Sequence, residues 1–172
     1  MRRIALDMDG VLADVYQQFF DMDEKDFGRR RTWEEVAGKK EGDTFPRIRE
    51  YVYTAGFFRG LKVVSGSQEV VKELNSKYDI YIVSAATEFP LSLPEKLDWL
   101  SEHFPFITWR QMVFCGSKQI IQADIMIDDH FKNLDFFTGD TSILFTQPHN
   151  VYAENGRHRR VDSWQDIAAI LL

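Results

Sequence analysis

The stretch Arg3-Ile4-Ala5-Leu6-Asp7-Met8-Asp9-Gly10-Val11 is a short apolar run that ends in two carboxylates and a glycine. Its apolar part suits a strand that is buried on both faces of a parallel sheet. Side chains alternate along a strand, so Asp7 and Asp9 are predicted to point the same way past its end, with Met8 turned away. Open α/β sheets place their chemistry at that end. The stretch therefore predicts a pair of acids at the functional edge of a sheet.

Two neighbouring carboxylates repel each other, and a bound cation or a shared proton relieves that repulsion. Carboxylate oxygens suit a hard ion such as Mg²⁺. An acidic turn without any ligand is an alternative, because aspartate and glycine are common turn residues. A calcium-binding loop of the helix-loop-helix type is excluded. It needs glycine at its sixth position and glutamate at its twelfth, and counting from Asp7 the sequence has Leu12 and Gln18 there.

Length and composition limit the class of protein. A chain of 172 residues suits one domain with a continuous core. Its net charge of -6 argues against binding to polymeric nucleic acid, which requires a positive surface. The single cysteine excludes an internal disulfide and fits a reducing compartment, and no apolar run approaches the roughly 20 residues that span a bilayer. We therefore expect a cytoplasmic protein without membrane attachment, and a homodimer stays open.

Apolar, β-branched segments alternate with helical segments along most of the chain, which predicts an α/β fold with a mainly parallel sheet. Residues 15–60 differ, because this region is polar and is interrupted by glycines and a proline. We interpret it as a small helical cap, with residues 1–14 and 61–172 as the catalytic core. After the first strand, further strands are expected at Asp79–Ser84, Met112–Phe114, Ile125–Ile127 and Ser142–Phe145, and helical segments at Val11–Phe20, Gln68–Ser76, Pro94–His103 and Gln119–Ala123.

The segment Asp7–Val11 resembles the first motif of the haloacid dehalogenase (HAD) superfamily, and more closely that of its 5'(3')-deoxyribonucleotidase branch. The resemblance covers nearly the whole chain and is weakest between about residues 16 and 51. It implies a three-layer, Rossmann-like parallel sheet of the HAD type, with a small helical cap inserted after the first strand. Other segments that look like this branch, in its order and spacing, are Gly56–Phe58 with Leu61, Glu69–Leu74, Pro94–Lys96, Ala123–Asp129 and Ser163-Trp164.

The resemblance also implies an activity, that of a Mg²⁺-dependent phosphatase acting on deoxyribonucleoside monophosphates through an aspartyl phosphate. Asp7 would be the nucleophile, and Asp9 the general acid and base. The metal site would include Asp7 and the backbone carbonyl of Asp9. Of the two later acids, Asp128 is expected to be the direct metal ligand and Asp129 to lie behind it, because adjacent strand residues cannot both face the ion without a turn.

Three further residues match phosphate-binding positions of the family. Ser84 would hold the transferring phosphate together with the backbone amides that follow it. Lys118 would offset negative charge on the nucleophile and the phosphate, and Lys96 could share that task. Read without the resemblance, a serine at a strand end is usually a turn residue, and a lysine in an amphipathic helix is usually a surface charge.

The resemblance implies that the cap closes over the nucleoside. It gives Val15, Trp33, Tyr51 and Phe57 as a substrate pocket, and the alternative is ordinary packing in the core of the cap, in particular for Trp33 and Phe58. Val15 stands where the family has an aromatic residue, and Tyr51 where it has a tryptophan, so the preferred base stays open, as does the choice of a 3' or a 5' phosphate. Two other functions also stay open, namely a phosphatase for another small ester and a silent binding module.

Overall fold

A computed structural model describes residues 1–172 and contains a six-stranded parallel sheet and a separate two-stranded antiparallel sheet. The strands are β1 (Arg3–Leu6), β2 (Ala13–Asp14), β3 (Lys62–Val63), β4 (Asp79–Ser84), β5 (Met112–Phe114), β6 (Ile125–Asp128), β7 (Thr141–Phe145) and β8 (Arg159–Val161). The helices are α1 (Val15–Phe27), α2 (Trp33–Val36), α3 (Glu41–Thr44), α4 (Ile48–Val52), α5 (Ser67–Lys77), α6 (Ser92–His103), α7 (Phe131–Leu134) and α8 (Trp164–Leu171).

The first strand lies at the centre of the large sheet, whose order is β5-β4-β1-β6-β7-β8. Leu6 pairs with Ile82 of β4 on one side and with Ile127 of β6 on the other. The chain first builds the sheet outward through β4 and β5, and then crosses back to β6. Strand order therefore reverses beside β1, which is where open α/β sheets bind ligands.

Both faces of the sheet are covered, so the expected three-layer α/β fold is confirmed. Ile4 and Leu6 belong to a cluster of 29 buried apolar residues that includes residues of α5, α6 and α8. Ala5 points to the other face and belongs to a cluster of six with Leu134 of α7 and Phe137. Burial on both faces explains why β1 is apolar throughout after Arg3.

Residues 15–60 contain four of the helices, α1 to α4. The first of them begins at Val15 because the Asp14 side chain accepts a hydrogen bond from the Gln17 amide at 2.9 Å. It ends at Gly28, whose φ of 69° is left-handed. Phe45 of this region belongs to the same apolar cluster as the sheet residues. Packing between the two parts is thus continuous, and the division into a core and a cap stays a prediction.

Some elements differ from the sequence-based expectation. The helix expected at Gln119–Ala123 is only a 3-10 turn at Lys118–Ile120, because Ile121 is already extended as the chain approaches β6. Strand β8 was not predicted; it lies at the edge of the sheet and contains two arginines, and charge is common on an edge strand. No helix in the structure is both long and apolar enough to cross a membrane.

Candidate active site

Three of the predicted acids meet where β1 and β6 end. Carboxylate oxygens of Asp7, Asp128 and Asp129 all lie within 4.8 Å of one another. Lys118 enters the same group, with its Nζ atom 2.7 Å from Asp7 Oδ1 and 2.6 Å from Asp128 Oδ2. Asp9 lines the same cavity as Asp7. The pairing of β1 with β6 brings Asp7 close to Asp128, which comes 121 residues later in the sequence.

The turn at the end of β1 fixes the positions of Asp7 and Asp9. The Met8 carbonyl accepts hydrogen bonds from the amides of Leu12 and Ala13, at 2.8 and 2.9 Å, and the Met8 side chain is buried. Gly10 has a φ of +75°, and a Cβ atom there would lie 2.4 Å from Asp129 Oδ2. Only glycine satisfies both the backbone conformation and this close approach.

The buried charges of this group perturb one another. Burial, reinforced by the charge of Asp128 and opposed by Lys118, raises the pKa of Asp7 to about 8. Burial and Asp128 also raise the pKa of Asp129 to about 8. Burial alone would lower the pKa of Lys118, but Asp128 and Asp7 outweigh it and raise that pKa. Without a further positive charge, therefore, Asp7 and Asp129 stay partly protonated at neutral pH.

Hydrogen bonding distinguishes the two adjacent acids. Both oxygens of Asp128 accept bonds from the protein: Lys118 Nζ, Asn133 Nδ2 and the His130 amide donate to them, at 2.6 to 3.0 Å. These bonds and the charge of Lys118 overcome burial and lower the pKa of Asp128. In contrast, Asp129 Oδ1 and Asp9 Oδ1 are buried without any hydrogen-bond partner. A buried, partnerless carboxylate oxygen such as that of Asp129 fits a bound cation, whereas both oxygens of Asp128 are already occupied, and the expected order of the two acids as metal ligands stays a prediction.

Lys96 and Ser84 lie together beside Asp9. Lys96 Nζ is 2.5 Å from Asp9 Oδ2 and 2.8 Å from Ser84 Oγ, and Lys96 is buried. Its place on α6 explains the burial, because Trp99 and Leu100 follow three and four residues later and are fully buried on the same helix face. Lys96 is therefore an interior cation and not the surface charge that its helix alone would suggest.

A cavity of about 170 Å³ opens above these groups. Six of the predicted site residues line this cavity, namely Asp7, Asp9, Val15, Ser84, Lys118 and Asp129. The rest of the wall comes from turns and short helices. Ala85 was expected there only through its backbone amide, which follows Ser84. The residues of the wall that were not predicted are Glu41, Glu88, Phe89, His130, Lys132 and Asn133. Only His130 and Asn133 among them had a signal in the sequence, since they closely follow the acids at the end of β6.

Three predicted pocket residues do not line this cavity. Trp33 is 48% exposed on the surface. Tyr51 is buried, and its hydroxyl donates to Asp26 Oδ2 at 2.9 Å. Phe57 is buried against Phe19, with the ring centroids 5.4 Å apart. Tyr51 and Phe57 are thus buried packing residues in this structure, and of the four predicted pocket residues only Val15 lines the cavity.

A second group of ligand-type side chains lies next to Asp129. Glu41 Oε1 is 3.2 Å from His149 Nδ1 and 3.8 Å from His130 Nε2. The two imidazoles are stacked, with centroids 4.3 Å apart and an angle of 12° between their planes. Both ring nitrogens of His149 also have other protein partners, since Nδ1 is 3.1 Å from the Tyr16 hydroxyl and Nε2 is 2.9 Å from the Asp129 carbonyl oxygen. We interpret the group as a polar contact that joins α3 to the end of the sheet.

Comparisons with known proteins find similar chains over nearly the whole length of this one. The family described as 5' nucleotidase, deoxy (pyrimidine), cytosolic type C, matches residues 2–172. A 5'(3')-deoxyribonucleotidase of Bacillus subtilis is 43% identical over 178 residues, which cover 98% of each chain. A haloacid dehalogenase-like hydrolase of Streptococcus pneumoniae has a similar structure, with a TM-score of 0.67 at 16% identity, over 100% of this chain and 99% of the other. A Bacillus subtilis HAD hydrolase solved with bound magnesium gives a TM-score of 0.62 at 16% identity, over 99% and 98%.

Proposed function

Since the chain belongs to the family of deoxy (pyrimidine) 5' nucleotidases, cytosolic type C, we propose that it hydrolyses deoxyribonucleoside monophosphates in a Mg²⁺-dependent reaction. Its membership in the 5'(3')-deoxyribonucleotidase branch of the HAD superfamily makes it an enzyme, a phosphoric monoester hydrolase. The observation that carries the proposal is the gathering of Asp7, Asp128 and Asp129 around Lys118 at the end of the two central strands.

The donor set suits Mg²⁺, since it consists of oxygen atoms. Burial and the charge of Asp128 raise the pKa of Asp7 and Asp129, and a cation at the site would offset both effects. We assign Asp7, the Asp9 carbonyl and Asp129 as ligands. Asp128 takes a different role, holding Lys118 and Asn133 in place. A bound divalent ion would favour ionised Asp7 and balance charge on the phosphate oxygens.

Asp7 is the proposed nucleophile. Its Oδ1 atom accepts hydrogen bonds from the Met8 amide and from Lys118, at 2.7 Å each, which leaves Oδ2 as the attacking atom. Oδ2 would form a bond to phosphorus while the bond from phosphorus to the sugar oxygen breaks. Two fixed donors on one oxygen hold the carboxylate still, so the other oxygen is aligned before the substrate arrives.

Asp9 is the proposed acid and base. It would give a proton to the departing sugar oxygen, and then take a proton from the water that hydrolyses the aspartyl phosphate. Lys96 donates a hydrogen bond to Oδ2 of Asp9. This leaves Oδ1, which is buried without a partner, as the atom that would carry the transferred proton. Ser84 Oγ and Lys118 would bind the transferring phosphate, whose charge they offset.

Residues 15–60 would act as a cap over the substrate, with Val15 and Glu41 contributing to the cavity. The substrate is thus a small molecule, and the intact set of charged residues supports an enzyme over a silent binding module. A homodimer and a cytoplasmic location stay predictions.

A turnover screen tests the proposal. The purified protein would be assayed for phosphate release from deoxyribonucleoside and ribonucleoside monophosphates and from sugar phosphates, with Mg²⁺ and with a chelator. We expect release from deoxyribonucleotides only when Mg²⁺ is present. Faster release from a sugar phosphate than from any nucleotide would favour a phosphatase for another small ester.

A further inference from the structure

Glu95 holds a segment of backbone that lies far from it in the sequence. Its Oε1 atom accepts a hydrogen bond from the Gly56 amide at 2.6 Å, and Oε2 accepts from the Phe58 and Arg59 amides at 3.0 and 3.1 Å. Bonds to an ionised acceptor are roughly twice as strong as those between neutral groups. Glu95 therefore fixes the segment 56–59, where the chain returns from the helical region 15–60 towards the sheet.

The same segment also contacts Lys96, the next residue of α6. The Phe58 ring lies over the Lys96 ammonium, with Nζ 4.7 Å from the ring centroid. That ammonium bonds to Asp9 and Ser84. The segment 56–59 is thus held through its backbone by Glu95, while one of its side chains packs on Lys96.

We propose that Glu95 is a positioning residue that keeps the Lys96 ammonium on Asp9. Without the carboxylate, the segment 56–59 would shift, the ring of Phe58 would leave Lys96, and Asp9 would lose its fixed orientation. The inference rests on the proposed function in one respect, namely that Asp9 protonates the leaving group. A misplaced Asp9 would slow the hydrolysis of substrates with a poor leaving group more than that of substrates with a good one.

The test is Glu95→Gln, which is nearly isosteric. Glutamine offers one acceptor oxygen, and its NH₂ group would face a backbone N–H, so the set of three bonds cannot be kept. We would measure kcat/KM for an alkyl phosphate, 2-deoxyribose 5-phosphate, and for an aryl phosphate, 4-nitrophenyl phosphate. The alkyl-to-aryl ratio should fall by about fivefold or more, which is part of the roughly 10²–10⁴-fold that a general acid supplies.

Glu102→Gln is a matched control. Glu102 lies on the same helix and pairs with the Arg59 guanidinium, so it contacts the same segment, but both side chains are exposed. Exposed ion pairs contribute little. The alkyl-to-aryl ratio of this variant should stay within about twofold of wild type.

Two results would overturn the proposal. An equal loss for both substrates with a lower melting temperature would make Glu95 a purely structural residue, and unchanged kinetics would show that its bonds have no effect on the site. If Glu95→Gln does not fold, Phe58→Leu must lower the same ratio by removing the ring from Lys96, and an unchanged ratio overturns the proposal. Because neither substrate carries a base, a wild type that rejects nucleotides would refute the proposed substrate class separately.

Discussion

Lys118 neutralises the centre of the site, and Lys118→Met should destabilise the metal-free protein strongly. Its ammonium is 2% exposed and lies between Asp7 and Asp128, whose side chains are 8% and 1% exposed. Removing one partner of a buried ion pair costs about 3–5 kcal/mol. For a domain of this length each kcal/mol shifts the melting temperature by about 2–4 °C, so a decrease of roughly 6–20 °C is expected at pH 8.

Thermal unfolding followed by circular dichroism, with a chelator present, would measure this decrease. Protonation of Asp7, whose pKa is already raised to about 8, relieves part of the loss, so the decrease should be smaller at pH 5 than at pH 8. Lys132→Met is the control, because Lys132 lines the same cavity but is exposed, and it should cost less than about 0.5 kcal/mol. A Lys118→Met variant that melts within 2 °C of wild type, less than about 1 kcal/mol, would refute the role of Lys118 as the buried counter-charge.

Three further predictions concern the acid, the packing and the metal. Asp9→Asn should slow leaving-group release from a nucleotide by roughly 10²–10⁴-fold but much less from an aryl phosphate; single-turnover assays with equal losses would contradict the acid role. Phe57→Ala should lower the free energy of unfolding, measured by urea titration, by about 3–5 kcal/mol, and it should lower turnover to a similar extent for all substrates. A loss of turnover confined to nucleotides would instead show that Phe57 contacts the nucleoside. In the folded, metal-free protein the pKa values of Asp7 and Asp129 are about 8, against an ordinary value of 3.8. Ionising these two acids therefore costs more free energy in the folded than in the unfolded state, and the free energy of unfolding falls as the pH rises from about 4 to 8. Mg²⁺ should therefore raise the melting temperature more at pH 8 than at pH 5, and an equal rise would contradict its binding between these acids.

The acids of the site were predictable because each follows an apolar strand directly. Asp7 follows β1 directly and Asp128 ends β6, and the structure pairs these two strands. Their relative roles were not predictable. Which of Asp128 and Asp129 has free oxygens depends on Asn133 and on the position of Lys118, and no local pattern reports such tertiary contacts.

In contrast to the acids, most of the cavity wall was not predictable from the sequence. Glu41 and Glu88 lie in a short helix and a 3-10 turn, and their place at the site depends on how the region 15–60 folds back over the sheet. Tyr51 and Phe57 carry the aromatic character that a base pocket needs, but the same character suits a buried core, and packing against α1 decides between the two. An aromatic residue alone thus predicts burial better than it predicts a ligand contact.

The most direct test of the account is to trap the covalent intermediate. The protein would be mixed with a ³²P-labelled deoxyribonucleoside monophosphate and Mg²⁺, quenched in acid within milliseconds, and digested for peptide mapping. We predict label on the peptide that contains Asp7, with none in an Asp7→Asn variant. Turnover of the substrate without any labelled peptide, or with the label on another residue, would contradict Asp7 as the nucleophile.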